Sequence, residues 1–333
     1  MLRPQEHLIK NIKSRINKRL SFIDLISSIL NINYDAAYRR VNNKTALSLD
    51  EAVTLAKYFN ISLNTLYSVG EKNSILVSKA PDINNASDLE QYFENAYKNL
   101  SDLLNKENAS ICYSANDIPI FYLLANTKLS KFKIYAWLNL LDIEFSASKI
   151  EFSNFNPNAN LLEFAQDLGK LYRQFNITEI WNDNVLDKTI KQVYHYYEIG
   201  LLHLNDALSF CDELENIVKD SELNARLGDR KSLKENPDFA LYHNEIMALG
   251  NTIIFKTDNY KVVNSPYALL SYFRVTHPES CADFEKYFKK QLESSNSLSS
   301  SDEKGRSLFF NKLYKKIEHL RTRLKIDDLF PIL

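Results

Sequence analysis

The sequence predicts a mainly α protein in two unequal parts: an N-terminal five-helix bundle, and a larger helical domain containing a small antiparallel β meander. Three observations carry this expectation. Only 6 glycines and 8 prolines occur in 333 residues, so long segments run without a helix breaker. Apolar residues recur at spacings of three and four along most of the chain, whereas strict alternation is confined to short stretches. Charge is also split: residues 1–70 hold ten Lys/Arg against five Asp/Glu (+5), which leaves 31 against 37 (−6) for residues 71–333 out of chain totals of 41 and 42. A basic head on an acidic body suits a protein that meets phosphate at one end. The predicted organisation is therefore a domain over 1–70, a linker over 71–86 rich in turn formers, and a domain over 87–333.

With 45% hydrophobic residues the chain has ample material for packed cores. It has no apolar run of about 18 residues and its N-terminus is too polar for a secretory signal, so a cytoplasmic location without membrane association is expected. Cys112, Cys211 and Cys281 are odd in number and widely spaced, which favours reduced packing residues over disulfides or a zinc site.

In the head, residues 4–19 carry Leu8, Ile9, Ile12 and Ile16 at helical spacing. Ser21 is a candidate N-cap for a second helix that buries Phe22, Leu25, Ile26 and Ile29. Asn31 can take the left-handed conformation usually given to glycine, Ile32 plugs the core, and Asn33 can cap a third helix over 34–41. After the polar NNKTA, Ser48 and Glu51 form a capping box for a fourth helix with Ala52, Leu55, Ala56 and Phe59 facing inward. Ser62 then caps a fifth helix carrying Leu63, Leu66 and Tyr67.

This order and spacing, from Asp24 through Asn43 and on into LDEAVTLAKYFNISLNTL, resembles the lambda-repressor-like (Cro/C1, xenobiotic-response-element type) helix-turn-helix domains of bacterial transcriptional regulators. The resemblance spans residues 5–68. Asn31 departs from the family's turn glycine, and Val41 and Asn42 stand where an acidic residue is frequent. The resemblance implies that helix 34–41 enters the major groove of double-stranded DNA, with Ala36 and Ala37 packed inward. Asn33, Tyr34, Asp35, Tyr38 and Arg39 would lie at its outward and N-terminal side, Arg39 as the bidentate reader of guanine and the tyrosines against thymine methyls or phosphates. Ser21, Asn42, Asn43, Lys44 and Thr45 would follow the backbone. One such module buries little surface, so a homodimer framed by the body is expected. A second reading stays open: a protein-interaction adaptor or antitoxin-like partner binder without sequence-specific DNA binding.

In the body, Ser87 is a candidate cap for a helix over 87–106, SICYSA (110–115) alternates like a strand, and IPIFYLLAN with LSKFKIYAWLNLLDI suggests a buried helical hairpin. Helices are predicted over 159–175, 185–202 and 205–220, separated by polar loops over 146–158 and 228–237. FALYHNEIM, NTIIFKT and YKVVNSP form the predicted three-stranded meander over 239–264, with Asp258-Asn259 as a tight turn and helices over 267–274 and 280–293 as its cover. Ser300 with Glu303 is a capping box for a final helix. The body resembles the C-terminal halves of Bacteroidetes-type helix-turn-helix proteins in CYSANDIP and in this final segment, a resemblance that implies no ligand.

Two clusters in the body invite a functional reading. His195, Glu198 and His203 could share a helix face and bind metal, but histidines packed among tyrosines are the commoner outcome, and no metal or other cofactor is expected. Tyr172, Phe175, Trp181, Tyr194 and Tyr197 could line a pocket for a small-molecule or peptide effector, although aromatic residues at this spacing are more often core. No phosphate-cradling glycine loop, HExxH or GxSxG occurs, so enzymatic activity is not expected.

Overall fold

The computed structural model describes residues 4–14, 21–59, 61–63, 75, 77–125, 127–229, 237–246, 249–299 and 301–329. The chain divides into two units, Met1–Leu76 and Val77–Leu333.

The first unit contains, among the described residues, α1 (Pro4–Ser14), α2 (Phe22–Leu30), α3 (Tyr34–Val41) and α4 (Leu49–Tyr58). Leu8, Ile9 and Ile12 of α1, Ile26 of α2, Ala37 and Val41 of α3, and Leu55 and Ala56 of α4 make one buried cluster. The helix ends are fixed by local polar groups. Ser21 accepts from the Asp24 amide, Asn33 from Ala36, and Ser48 and Glu51 close a reciprocal capping box. The expected tail of the first helix (15–19) and nearly all of the expected fifth helix (64–67) lie outside the described residues.

The second unit is built on a sheet that the sequence reading did not foresee. Its strands are β1 (Ser78–Lys79), β2 (Ser110–Ala115), β3 (Asn176–Trp181), β4 (Phe239–His243), β5 (Thr252–Lys256), β6 (Lys261–Ala268), β7 (Ser271–Val275) and β8 (Asn296–Ser297), in the order β1-β7-β6-β5-β2-β3-β4-β8. The β2–β3 and β3–β4 pairs are parallel and all the others antiparallel. This overturns the expected small meander over 239–264. Residues 239–243 pair with β3 and β8, not with β5, and the predicted helix over 267–274 falls instead on the β6–β7 hairpin. The fold class is accordingly a mixed α/β sheet domain following a helical unit. The Asp258-Asn259 turn is present, with the Thr257 amide donating to Tyr260 O at 2.9 Å.

Parallel neighbours require long crossovers. Between β2 and β3 run α6 (Ile120–Leu124), α7 (Thr127–Leu141), α8 (Ile143–Ser148) and α9 (Ala159–Tyr172), and between β3 and β4 run α10 (Asp187–Glu198) and α11 (Leu204–Leu227). α5 (Ala86–Leu104) precedes β2, while α12 (Pro278–Glu293) and α13 (Glu303–Leu329) flank β8. Asn85, not Ser87, caps α5, its side chain accepting from the Asp88 amide at 2.9 Å. At the start of α13, Asp302 accepts from the Gly305 amide at 2.8 Å.

The sheet has two unequal faces, and strand alternation sorts side chains between them. Ile111, Tyr113, Ile177, Trp181, Phe239, Leu241, Ile253 and Phe255 enter the large core with α5, α6, α7, α9, α10, α11 and α13. Their neighbours Cys112, Ile180, Ile254 and Val263 enter a small core against Cys281 and Phe288 of α12. All three cysteines are buried and unpaired. Gly169 lets α9 approach α6 closely, since a Cβ there would lie 2.4 Å from Ala125 N and 2.7 Å from Phe121 O. Among the described residues, no helix is long and apolar enough to cross a membrane.

Candidate nucleic-acid interface

The α2–α3 corner is held by backbone geometry that its sequence dictates. Asn31 is left-handed (φ 51°, ψ 47°). The Ile32 amide donates to Ser27 O at 3.1 Å and the Asn31 amide to Ser28 O at 3.3 Å, the paired closure of a Schellman end. Ser27 Oγ secures the turn by donating to Ile32 O at 2.6 Å. α3 ends the same way on a second asparagine: Asn43 is left-handed (φ 58°), its amide meets Arg40 O at 3.1 Å, and the Lys44 amide meets Arg39 O at 2.8 Å. Asparagine is the residue after glycine that tolerates this region best, which explains how Asn31 stands in for the turn glycine and how Asn43 ends α3.

The two adjacent arginines of α3 have different roles. Arg40 grips Glu51 of α4 through Nε–Oε2 at 2.8 Å and Nη2–Oε1 at 2.7 Å, and donates from Nη1 to Ala36 O. The Arg40 hydrogen bond holds the Glu51 carboxyl below its usual range, with burial working in the opposite sense. Gln5 of α1 adds a further brace, donating to Arg40 O (2.7 Å) and Thr45 O (2.9 Å) and accepting from the Leu47 amide (2.8 Å). Arg39, by contrast, is exposed and makes no ion pair among the described residues. Tyr34 and Tyr38 share that exposure at 49% and 41%, and Asp35 is also exposed. Lys44 Nζ lies 5.3 Å from the Tyr38 ring centroid, so the lysine head and the tyrosine form one basic and aromatic patch.

Several of the other expected contacts already have internal duties. Ser21 Oγ and Asn33 Oδ1 serve as caps, Asn42 Nδ2 donates to Tyr38 O at 2.9 Å, and Asn43 is half-buried at the helix end. Lys44 and Thr45 are exposed.

The body's expected sites do not assemble. Tyr172, Phe175 and Trp181 are fully buried, while Tyr194 and Tyr197 bond elsewhere, to Asp327 (2.9 Å) and Leu324 O (3.4 Å) of α13. They are core and helix contacts, not the walls of one pocket. His203 faces Glu151 at 3.5 Å and His195 packs on Tyr196, so the His195, Glu198 and His203 side chains do not converge.

Comparison with protein-family models, curated proteins and solved structures finds nothing that matches this chain.

The sequence reading missed two arrangements. Glu179 of β3 is wholly buried and accepts from Tyr172 (2.6 Å), Tyr122 (3.0 Å) and Trp181 Nε1 (2.8 Å). At the carboxyl ends of β3 and β4, Asp183, His243 and Glu245 bring three potential ligand atoms within 4.8 Å of one another. His243 Nε2 lies 3.1 Å from Asp183 and 2.8 Å from Glu245, and Lys312 Nζ pairs with the other Asp183 oxygen. Burial tends to raise the Asp183 carboxyl, but Lys312 and His243 outweigh it and hold the group below its usual range. With an ammonium already on Asp183, the cluster is an ion-pair network joining α13 to the sheet. Its sequence signal is the NDN at 182–184 and the HNE at 243–245, readable only once both preceding segments are known to be parallel strands.

Proposed function

We propose that this chain is a DNA-binding transcriptional regulator that reads the major groove with α3. The observation that carries the reading is the division of labour between Arg39 and Arg40. One arginine is consumed by the bundle, and its neighbour stands exposed in the last turn of α3, next to Tyr38, with no acidic partner among the described residues. A guanidinium so presented suits bidentate recognition of guanine O6 and N7. The capped α2–turn–α3 corner supports the same reading, because a recognition helix needs rigid backing to hold its register. The body would supply a dimer frame, which a small module needs for tight binding on two half-sites.

The test compares two substitutions in the full chain. Arg39→Ala is expected to weaken specific duplex binding by about 1–3 kcal/mol, with the thermal unfolding of the protein unchanged. Arg40→Ala is expected to destabilise the helical unit by about 1–2 kcal/mol, because Glu51 loses its guanidinium partner and Ala36 O its side-chain donor. If Arg39→Ala binds selected duplexes as tightly as the parent in a gel-shift titration, α3 is not the reader. Selection of duplexes from a random pool by the full chain should yield a palindrome if the dimer proposal holds. A chain that retains no duplex at low salt would instead be the adaptor or antitoxin-like binder.

A further inference from the structure

Between α5 and the β5–β7 face of the sheet lies a cavity of about 670 Å³. Its size falls within the range of sites for small organic ligands. The deep wall is apolar, formed by Leu100 of α5, Phe121 of α6 and Ile253, Phe255 and Val262 of the sheet, each nearly inaccessible to solvent. Two polar features break this wall. The phenol of half-buried Tyr92 has no hydrogen-bond partner among the described residues, and burial pushes its ionisation well up, so it is a neutral donor. At the exposed rim stands Arg274 of β7, whose guanidinium touches the Tyr260 hydroxyl at 3.3 Å and has no carboxylate partner among the described residues. The other rim cations are already matched, Lys79 by Asp82 at 2.6 Å and Lys98 by Glu94. The cavity thus joins an apolar chamber to a cation at its mouth that is unmatched among the described residues.

We infer that this cavity binds an amphipathic monocarboxylate, with its hydrocarbon part against Leu100, Phe121 and Phe255 and its carboxylate on Arg274. A guanidinium matches a carboxylate in shape as well as charge, whereas a neutral or cationic amphiphile leaves Arg274 unmatched. The rim opposite α5 includes Lys79, Pro81 and Ile83, the stretch that directly follows the first unit in the chain.

The experiment is calorimetric titration of the full chain, without DNA, with dodecanoate and with dodecanol, both below their aggregation limits. It stands or falls separately from the DNA-reading function. Dodecanoate is expected to bind one-to-one and more tightly than dodecanol. Arg274→Met should weaken dodecanoate about tenfold to a hundredfold and leave dodecanol unchanged. Ala96→Phe on the α5 wall, or Asn264→Phe on the β6 wall, should abolish both heats by filling the chamber; whichever retains the parent's circular-dichroism melt serves as the probe. The absence of saturable dodecanoate heat overturns the proposal. So does dodecanol binding as tightly as dodecanoate, an Arg274→Met variant unchanged toward dodecanoate, or a folded filling variant that still binds.

Discussion

Glu179 shows how a single side chain can organise a core. A carboxylate among aromatic rings is costly unless its lone pairs are met, and two tyrosines and a tryptophan meet them here. Those donors come from α6, α9 and β3, so the acid ties the first crossover to the sheet beneath it. Removing it with Glu179→Ala strands three buried donors and should cost about 3–5 kcal/mol in urea unfolding; a loss below about 1 kcal/mol would mean that the donors find other acceptors. Lys133 is the opposite case. It is 5% exposed, its head lies 5.5 Å from the Trp137 ring and bonds to Gln192, and burial pulls its ammonium from 10.5 down to about 7. Because the folded value lies below the unfolded one, the unfolded chain holds the extra proton between those limits. Stability should therefore rise as pH increases from 7 toward 10.5. Lys133→Met, which removes the ammonium, should exceed the parent by about 2–4 kcal/mol at pH 7 and lose that advantage near pH 10.5. Equal denaturation midpoints at pH 7 would show that the ammonium is solvated in the fold.

At the scale of elements, the ends of helices α2, α3 and α4 were legible because every signal is local. Ser21, Asn31, Asn33, Ser48 and Glu51 each act on a backbone group within five residues, so propensity and structure coincide. The sheet was not legible, for equally physical reasons. β3 and β4 find their parallel partners across intervening helices, with Ile177 opposite Ile111 and Phe239 opposite Ile177, and no nearby turn announces such pairing. The buried face of NITEIW also carries Glu179, which reads as solvent-facing until its donors are known. Residues 267–274, the turn and second strand of the β6–β7 hairpin, carry a helical pattern because the turn uses left-handed Leu270 where glycine or asparagine would be expected. The minor face depends on a charge cluster drawn from β5, β6 and α12. Glu285 of α12 meets Lys256 of β5 at 3.3 Å, Lys261 of β6, and Lys289 at 3.5 Å. The Lys261 hydrogen bond, aided by Lys256 and opposed by burial, brings its carboxyl from 4.5 to about 2. This stabilisation is complete above pH 4.5 and is lost as pH falls toward 2. Glu285→Gln should cost about 1–2 kcal/mol at pH 7, a value reduced by solvent screening of the lysines, and nothing at pH 2. A variant whose acid-unfolding curve overlays that of the parent would remove Glu285 from the anchoring of α12.

At the scale of the whole molecule, each unit has its own hydrophobic core, and the eight-stranded sheet lies entirely within residues 78–297. The sheet, both of its helical covers and the Glu179 network are all built from residues of the second unit. Residues 77–333 produced alone should unfold cooperatively with a midpoint within a few degrees of the body's transition in the full chain, as separate cores behave independently. The same fragment should lose duplex binding altogether, since the +5 charge belongs to residues 1–70 and the remainder carries −6. The full chain should retain duplex binding with an affinity that falls by about 0.9 log units per log unit of salt for each phosphate met. These measurements separate charge attraction from base reading. Arg39→Ala should lower affinity for the selected sequence far more than for random duplex, whereas Lys44→Ala should lower both equally and reduce the salt slope by about one phosphate. A fragment of residues 77–333 that binds duplex as well as the full chain would move the nucleic-acid surface to the body and leave α3 without that role.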